Sequence, residues 1–453
     1  MNSRRELLRL TAAGFPYLAF SGMAASEAQA AAKGEYQNPL APKKPHFEPK
    51  AKRVIWMFMQ GAPSQHETFD YNEDLVKSAG MKVDGQVQKL LAPVVKFNKA
   101  GKSGLPISEL FPELAKHADD LCVINGMHTN SPAHPQASIF MHTGSFTFVR
   151  PSIGSWMVYG LGTENKDLPG FVTLNPAGLG GAALYGSAFL PASYQGTAVT
   201  IAKGQQPIEN IRNAKLAAEA QRRQVDFIQE MNREALAQQK VDNELEGLIE
   251  SYELAFRMQS SVPKLMEVRG EKPATLQAYG LNDPATRDFG SQCLLARRMA
   301  EAGVRFIELN MNGWDQHANL KGKITSNCQA IDKPIAALLQ DLKDRGMLND
   351  TLLVWGGEFG RSTNEQGPGG DGRQHNNRGY SMWMAGGGVK GGIRHGVCDV
   401  NGSAVEGKVH LHDLHATILN LMGLDHTRLT FRYAGRNFRL TDVHGSVVKS
   451  ILA

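Results

Sequence analysis

The chain has 453 residues, of which 42% are hydrophobic and 21% are charged, a balance typical of a large globular protein with a substantial core. Its 49 Lys and Arg residues against 44 Asp and Glu residues leave a formal net charge of +5. No basic run with interleaved aromatic residues appears in it, so the composition argues against a nucleic-acid partner.

The N-terminus has the pattern of an export signal. The sequence "NSRRELLRL" places an arginine pair before a mildly apolar stretch, which ends in the small-residue sequence "AQA". This pattern predicts a twin-arginine signal peptide over residues 1–30 and a periplasmic or otherwise exported mature protein. The apolar stretch is too short and too rich in Gly, Pro and Ser for a stable membrane span. Residues 31–50, rich in Pro and Lys, are predicted to form an extended lead-in.

From residue 51 onward, short apolar runs alternate with helical stretches. The runs "RVIWMFMQGAPS", "DLCVINGMHTN", "GVRFIELNMNGWDQH" and "DTLLVWGGEFGRS" each end in glycine and polar residues. Helices are predicted between them, over 287–302 and 329–346 among others. This alternation predicts one α/β domain over 51–453, with a mainly parallel central sheet covered by helices on both faces.

Two internal regions differ from this alternation. Residues 205–270 are rich in Ala, Gln, Glu and Arg with apolar residues at helical spacing, which predicts a helical hairpin packed on the domain. A partner-binding coiled coil is the alternative, but the heptads are not sustained long enough to favour it. Residues 363–378, "TNEQGPGGDGRQHNNR", are predicted to form a functional loop.

The cysteines do not form a recognisable site. They are widely scattered with no C-x-x-C pair, so they are unsuited to a cysteine-based zinc site and too few for a disulfide scaffold. In an oxidising compartment they could form disulfides. The four residues are Cys122, Cys293, Cys328 and Cys398.

Polar side chains follow four of the predicted strands, at the edge where parallel sheets bind ligands. They are Gln60, Ser64, Gln65 and His66; His128 and His134; Asp315 and His317; and Glu358, Arg361 and His375. Carboxylates and neutral imidazoles suit a divalent ion such as zinc, manganese, iron or calcium. Asp315 and His317 are two residues apart, so on an extended segment their side chains point the same way. Singly, each residue also has an ordinary explanation, such as a turn former, a helix cap or a surface ion pair.

Four segments of the chain carry a family resemblance that covers nearly the whole mature chain. They are "QGAPSQHETFD", "WGGEFGRS", "GGGVKGG" and "HDLHATILNLMGLDHTRLTFRYAGRNFRLTDVHG". They resemble the exported branch known as the domain of unknown function 1501 family, within the alkaline phosphatase and sulfatase superfamily. The resemblance implies an alkaline phosphatase-like fold and metal-dependent hydrolysis of phosphate or sulfate esters.

Carrying the superfamily's site onto this chain shows both matches and gaps. The metal-binding Asp that usually ends the first strand is replaced by Gln60. The superfamily's later Asp and His ligands resemble Asp315 and His317 here. Its Asp-His or Asp-Asn pair before a glycine resembles Glu358-Phe359, where only the acid is kept. Its last histidine ligand resembles His375.

His134 stands where the superfamily usually keeps a Ser, Thr or Cys nucleophile, about ten residues before a Thr-Gly pair. The sequence "HPQAS" lacks the C/S-x-P-x-R motif that a formylglycine sulfatase requires. His134 could be a nucleophile, a general acid or a metal ligand. The ligand role is favoured because it requires only a neutral imidazole within reach of the ion.

The other histidines are expected to be structural. His128 follows a predicted strand and His142 faces the Thr-Gly turn. His412 and His415 have a spacing that could bind an ion, but packing and helix capping by Asp413 are the favoured explanation.

The sequence therefore predicts an exported metal-dependent hydrolase that acts on a small-molecule or polysaccharide anionic ester. Arg361 is expected to neutralise charge on the substrate. The expected metal ligands are Asp315, His317, Glu358 and His375, with His134 as a further ligand. The alternative is a catalytically inactive binding or scaffold protein on the same fold.

Overall fold

The structure is a computed structural model that describes residues 38–82, 87–201, 216–239 and 243–453. The predicted signal peptide, the first part of the lead-in and residues 205–215 of the predicted helical hairpin lie outside the described residues. In the part of the chain that is described, no helix is long and apolar enough to cross a membrane.

The strands of the described residues run from near the start of the domain to its C-terminal region. They are β1 (Arg53–Met59), β2 (Phe97–Ala100), β3 (Leu105–Ser108), β4 (Leu121–His128), β5 (Phe171–Leu174), β6 (Thr197–Val199), β7 (Phe306–Met311), β8 (Thr351–Gly356), β9 (Gly360–Gln366), β10 (Gly372–Asn376), β11 (Tyr380–Ala385), β12 (Ile393–His395), β13 (Val397–Cys398), β14 (Ala404–Glu406), β15 (Val409–His410), β16 (Phe431–Tyr433) and β17 (Arg436–Phe438).

The α-helices lie between these strands. They are α1 (Gln65–Thr68), α2 (Glu73–Lys77), α3 (His134–Thr143), α4 (Ile153–Leu161), α5 (Ala218–Gln239), α6 (Asn243–Met266), α7 (Pro273–Ala278), α8 (Arg287–Glu301), α9 (Leu320–Asp344) and α10 (Leu411–Leu421). The predicted helices over 287–302 and 329–346 correspond to α8 and to the longer α9.

The central sheet has nine strands in the order β12-β4-β11-β8-β1-β7-β5-β6, with β15 also paired to β4. All of its pairs are parallel except those of β11, which is antiparallel to both β4 and β8. Strands β8 and β11 are buried along their whole length, which requires cover on both faces of the sheet. The predicted α/β class and mainly parallel sheet are confirmed.

Because β8, β1 and β7 are adjacent and parallel, their C-terminal ends meet at one edge of the sheet. Gly61 follows β1 there with a φ of 110°, and a Cβ on it would lie 2.6 Å from the backbone nitrogen of Asp315. Only glycine permits both this backbone conformation and this close approach. The loops after β1 and β7 are thereby brought into contact.

The stretch predicted as a loop over 363–378 forms instead an antiparallel hairpin of β9 and β10, so that prediction was wrong. Its turn contains Gly367 and Gly370, both with positive φ, which is the glycine signal of a tight connection. The hairpin places His375 directly opposite Arg361.

A buried ion pair anchors this hairpin to the rest of the domain. The side chain of Arg373 in β10 lies 2.7 Å from Glu67 of α1, and both side chains are fully buried. Arg373 also donates to the carbonyl oxygens of Leu91 and Ala92. Removing one partner of such a pair leaves an uncompensated buried charge, which costs about 3–5 kcal/mol.

In the region of the predicted helical hairpin, α5 and α6 pack antiparallel. The guanidinium of Arg222 donates to both carboxylate oxygens of Glu253 at 3.0 and 2.9 Å, and Gln229 donates to the carbonyl of Ile249. The four cysteines predicted to be free of any zinc motif are all buried and unpaired.

Candidate functional site

One carboxylate oxygen is the centre of the polar groups at the sheet edge. Around Oδ1 of Asp315 lie the Nε2 atoms of His317 at 2.8 Å, His134 at 3.2 Å and His375 at 3.3 Å. The guanidinium of Arg361 is 2.6 Å from the same oxygen. The structure thus brings together five of the six residues expected from the sequence, around a single atom.

These residues come from three parts of the fold. Asp315 and His317 follow β7, and His375 lies in β10 of the hairpin. His134 is the first residue of α3, which Pro at the next position helps to start. Strand pairing holds His375, and a helix start holds His134. Asp315 and His317 lie in the loop after β7, where the backbone of Trp314 donates to the carbonyl of Gln60 and that of Arg373 donates to the carbonyl of Gln316.

Each of the three histidines has an oxygen atom behind it, within hydrogen-bonding distance of its Nδ1. These contacts are His134 to Oε1 of Glu358 at 2.5 Å, His317 to Oε1 of Gln366 at 2.6 Å, and His375 to the carbonyl of Pro132 at 2.7 Å. Because these oxygens accept hydrogen bonds, the proton of each neutral ring is placed on Nδ1. The lone pair of each Nε2 is then directed at the region around Asp315.

Two features of this arrangement are compatible with a cation between the side chains. The Nε2 atoms of His317 and His375 are 2.9 Å apart, and two lone pairs at that distance repel unless a positive charge lies between them. His134 is 8% exposed, and its Nε2 has no hydrogen-bond partner in the described structure. One ligand atom each of His134, Asp315 and His375 also lies within 4.8 Å of the other two.

Glu358 lies behind His134. Its buried carboxylate accepts hydrogen bonds from the backbone of Gly61 at 3.0 and 3.3 Å, in addition to the contact with His134. This position orients the imidazole, as outer carboxylates do in many metal sites.

Arg361 is fully buried below Asp315. Its guanidinium donates to the carbonyls of Ala62 at 3.0 Å, Gly61 at 2.5 Å and Trp314 at 3.3 Å, besides the Asp315 carboxylate. Burial raises the pKa of Asp315, but the hydrogen bond and charge of Arg361 outweigh it and hold that pKa well below its usual range. Asp315 is therefore ionised at any physiological pH.

Gln60, at the place of the superfamily's first aspartate, makes a different set of contacts. Its amide nitrogen donates to the carbonyl of Leu179 at 2.9 Å, and its amide oxygen accepts from the backbone of Gly178 and Leu179. An ionised carboxylate has no donor and could not make this set. Gln60 thus fastens the 178–179 loop to the end of β1.

The neighbouring polar residues after β1 support the hairpin. Gln65 accepts from the backbone of Arg361 at 2.8 Å and donates to its carbonyl at 2.8 Å. Ser64 contacts Glu67, the partner of Arg373, and burial lowers the pKa of His66. These side chains position the hairpin that carries His375.

The other histidines expected to be structural have different surroundings. His142 is buried, with its Nε2 3.1 Å from Glu308, and that carboxylate outweighs burial to raise the pKa of the ring. His410 is the N-cap of α10, and its backbone donates to Asp413 at 2.9 Å in a capping box.

A second group of histidine rings lies at this helix start. We call it the second histidine cluster; its members are His128, His410, His412, His415 and His444. Burial lowers the pKa of His412 to about 3 and of His415 to about 4, and neighbouring histidines add to this effect. The rings of His412 and His415 are therefore neutral at physiological pH.

Several solved structures are similar in fold at low identity. The lipoteichoic acid synthase LtaP from Listeria monocytogenes matches with a TM-score of 0.38 and 10% identity, over 93% of this chain and 81% of that one. The PsFucS1 sulfatase from Pseudoalteromonas sp. matches with 0.38 and 12%, over 94% and 76%. The periplasmic domain of EcEptC from Escherichia coli, in complex with Zn, matches with 0.37 and 11%, over 88% and 96%. TM-scores this low transfer no residue role.

No curated protein sequence matches the chain. A family profile, however, matches residues 51–452 of the 453-residue chain. This match confirms the family expected from the sequence motifs. The chain belongs to the family described as protein of unknown function (DUF1501).

Proposed function

We propose that this protein is an exported, metal-dependent hydrolase of phosphate or sulfate esters, with the ion held by His134, Asp315, His317 and His375. The observation that carries the proposal is the set of oxygen acceptors at the three Nδ1 atoms, which leaves three Nε2 lone pairs beside one carboxylate. Such outer partners are typical of histidines that bind metals.

The donor set fits a transition-metal ion. Ligand atoms held about 2.1 Å from one ion at tetrahedral angles are about 3.4 Å apart. The distances from Oδ1 of Asp315 to the three Nε2 atoms are 2.8, 3.2 and 3.3 Å, so a small expansion would admit an ion. Imidazole nitrogen with one carboxylate suits zinc, manganese or iron, and calcium is disfavoured because it prefers oxygen ligands.

The protein residues have separate tasks in this proposal. When bound, the ion would polarise the ester oxygen and lower the pKa of water towards neutrality. Glu358 would orient His134, a positioning role in place of the ligand role expected from the sequence. Arg361 would hold Asp315 ionised and in place, since its guanidinium is turned to protein oxygens and its side chain is buried.

The geometry also bears on the three possible roles of His134. Its Nδ1 contacts Glu358, and its Nε2 faces the carboxylate of Asp315 at 3.2 Å. A nucleophile needs its lone pair free for an in-line approach to the ester, beyond the carboxylate. The ligand role is therefore the one we propose.

The proposal is tested by elemental analysis of protein purified from its native compartment, beside phosphate- and sulfate-ester assays on the same sample. We expect close to one transition-metal ion per chain, and turnover that chelation removes and the same ion restores. Protein that contains no such ion and binds none on addition would favour the alternative, a binding or scaffold protein.

Export rests on the N-terminal sequence and is tested separately. Replacing Arg4 and Arg5 by lysine keeps the charge but removes the arginine pair that the twin-arginine route requires. We expect the variant to stay in the cytoplasm, with its N-terminus uncut near Ala31. Normal export of this variant would remove the twin-arginine route from the proposal.

A further inference from the structure

A separate cavity of about 250 Å³ lies beside the C-terminal end of α3. Its wall includes Asn130, Phe140, Arg150, His412, Arg439 and His444. The volume is smaller than the roughly 300–1,000 Å³ of sites that enclose a whole drug-sized ligand. The cavity therefore suits one group or one unit of a larger molecule.

The charge of the cavity is positive. Arg150 and Arg439 line it, and neither has a carboxylate within ion-pair distance in the described parts of the chain. Asp442 also lines it, but its carboxylate is paired with Arg436. Neither cavity arginine forms an ion pair in the described residues, although the charge of Asp442 acts on Arg150 at longer range and Arg439 donates to the carbonyl of Asp442. Two cations without a close carboxylate are an arrangement that can receive an anion.

Aromatic rings and an unpaired imidazole accompany this charge. The guanidinium carbon of Arg150 is 5.5 Å from the ring centre of Phe148, which lines the cavity and is 64% exposed, and 4.2 Å from that of Phe438, which lies outside the lining. His412 is 4% exposed, and its Nδ1 has no hydrogen-bond partner within the described structure. Flat apolar faces beside cations suit an anionic group attached to a ring, such as a sugar.

The same chain segment forms part of both sites. Asn130 lines the cavity, the carbonyl of Pro132 contacts His375, and His134 starts α3. At a rise of 1.5 Å per residue, the ten residues of α3 separate His134 from the cavity end by about 14 Å. One molecule that reached both sites would have to be an extended chain.

We propose that this cavity binds a second anionic group of an extended polyanion, a sugar chain bearing sulfate or phosphate esters, while another ester of the chain lies at Asp315. Its role as a subsite rests on the proposed hydrolase function, but binding at the cavity does not. The arginines hold the anionic group, and the exposed aromatic faces contact the ring that carries it.

The test measures binding of dextran sulfate by calorimetry, to the mature protein with and without prior removal of metal. We expect Arg150→Gln and Arg439→Gln each to weaken binding at least tenfold, while bound metal is unchanged. Arg432→Gln is the matched control, because it removes the same charge from an exposed position nearby that does not line the cavity. Thermal unfolding checks that each variant folds, and two cavity variants keep the test usable if one does not.

Unchanged binding in the folded cavity variants, or an equal loss in Arg432→Gln, would overturn the proposal. Tighter binding of inorganic polyphosphate than of dextran sulfate would overturn the sugar-ring part of it. Loss of binding on metal removal alone would place the polyanion at the metal site and count against the cavity. The protein could contain no metal and show no turnover, while Arg150→Gln still weakens dextran sulfate binding. That result would refute the proposed hydrolase function and support polyanion binding at the cavity.

Discussion

Two groups of histidines in this protein differ in whether a carboxylate faces their ring nitrogens. At the sheet edge, each Nδ1 contacts an oxygen atom and each Nε2 faces Asp315. In the second histidine cluster, the Nε2 atoms of His410 and His415 also contact oxygen atoms, of Asn130 at 2.9 Å and of Met141 at 2.7 Å, while the carboxylate of Asp413 accepts from the backbone of His410. One carboxylate that faces several ring nitrogens, more than the number of histidines or of their oxygen partners, distinguishes a candidate metal site from a packed cluster.

The largest expected effect comes from testing this comparison with one substitution in each group of histidines. We expect His134→Ala to reduce bound metal to below a tenth of an ion per chain, because it removes one of the proposed ligands. His412→Ala, the matched change in the second histidine cluster, should leave the metal content unchanged. Elemental analysis and ester turnover are measured on both purified variants.

The same pair of variants separates the other roles of His134. Full metal with abolished turnover in His134→Ala would identify a nucleophile or general acid. Full metal together with full activity would make His134 structural and contradict both functional roles.

A smaller effect is expected when the Glu358 carboxylate, which contacts Nδ1 of His134, is replaced by an amide. Glu358→Gln keeps the shape of the side chain but removes the charge that accepts from Nδ1, so metal affinity should fall about 10- to 100-fold. Competition with a coloured chelator measures the affinity. Glu365→Gln, a partly exposed change on the neighbouring hairpin, is the control and should have no effect. Equal affinity in wild type and Glu358→Gln would show that the acceptor is not needed.

The smallest effect concerns the second histidine cluster. His415 is fully buried, and burial lowers its pKa from 6.5 to about 4, so the folded chain binds fewer protons than the unfolded chain between these pH values. Its contribution to stability is therefore present above pH 6.5 and lost as the pH falls towards 4. Between pH 7.5 and 5.5 this one group should cost about 1 kcal/mol of unfolding free energy.

Urea unfolding at both pH values checks this, with His415→Gln as the comparison. Glutamine keeps a donor for the carbonyl of Met141, which His415 contacts at 2.7 Å, but it does not titrate. The variant should lose less stability than wild type over the same pH interval. An identical loss in the two proteins would contradict the buried, neutral state of His415.

Much of the sheet edge could be predicted from the sequence, because a parallel sheet collects the ends of its strands. Asp315 follows β7 and Glu358 follows β8, and both lie at the edge where such ends meet. His134 was found by its distance from a Thr-Gly pair, a spacing that α3 preserves. A local sequence pattern is enough to predict the position of a site residue when a single strand or helix determines that position.

The outer contacts could not be predicted in this way. Gln366 reaches His317 from a hairpin that was expected to be a loop, and Pro132 meets His375 across 243 residues of sequence. The buried position of Arg361 depends on the loops after β1 and β7 together. Such contacts depend on how distant segments pack, and no local periodicity records that.

The hairpin of β9 and β10 makes the site sensitive to strand register. Arg361 pairs with His375, and Gln366 pairs with Gly372, with a shift of register between Arg373 and His375. The pairing on both sides of this irregularity therefore places the imidazole of His375 and the acceptor of His317. A slip by one residue turns every side chain of a strand to the opposite face. In a slipped chain the exposed Gln374 would replace His375 beside Asp315, and the cluster would lose a nitrogen. If the proposed ligands are correct, the amount of metal bound per chain would thus measure the fraction of molecules in which β9 and β10 are correctly paired. A chain with a shifted hairpin would not bind the ion.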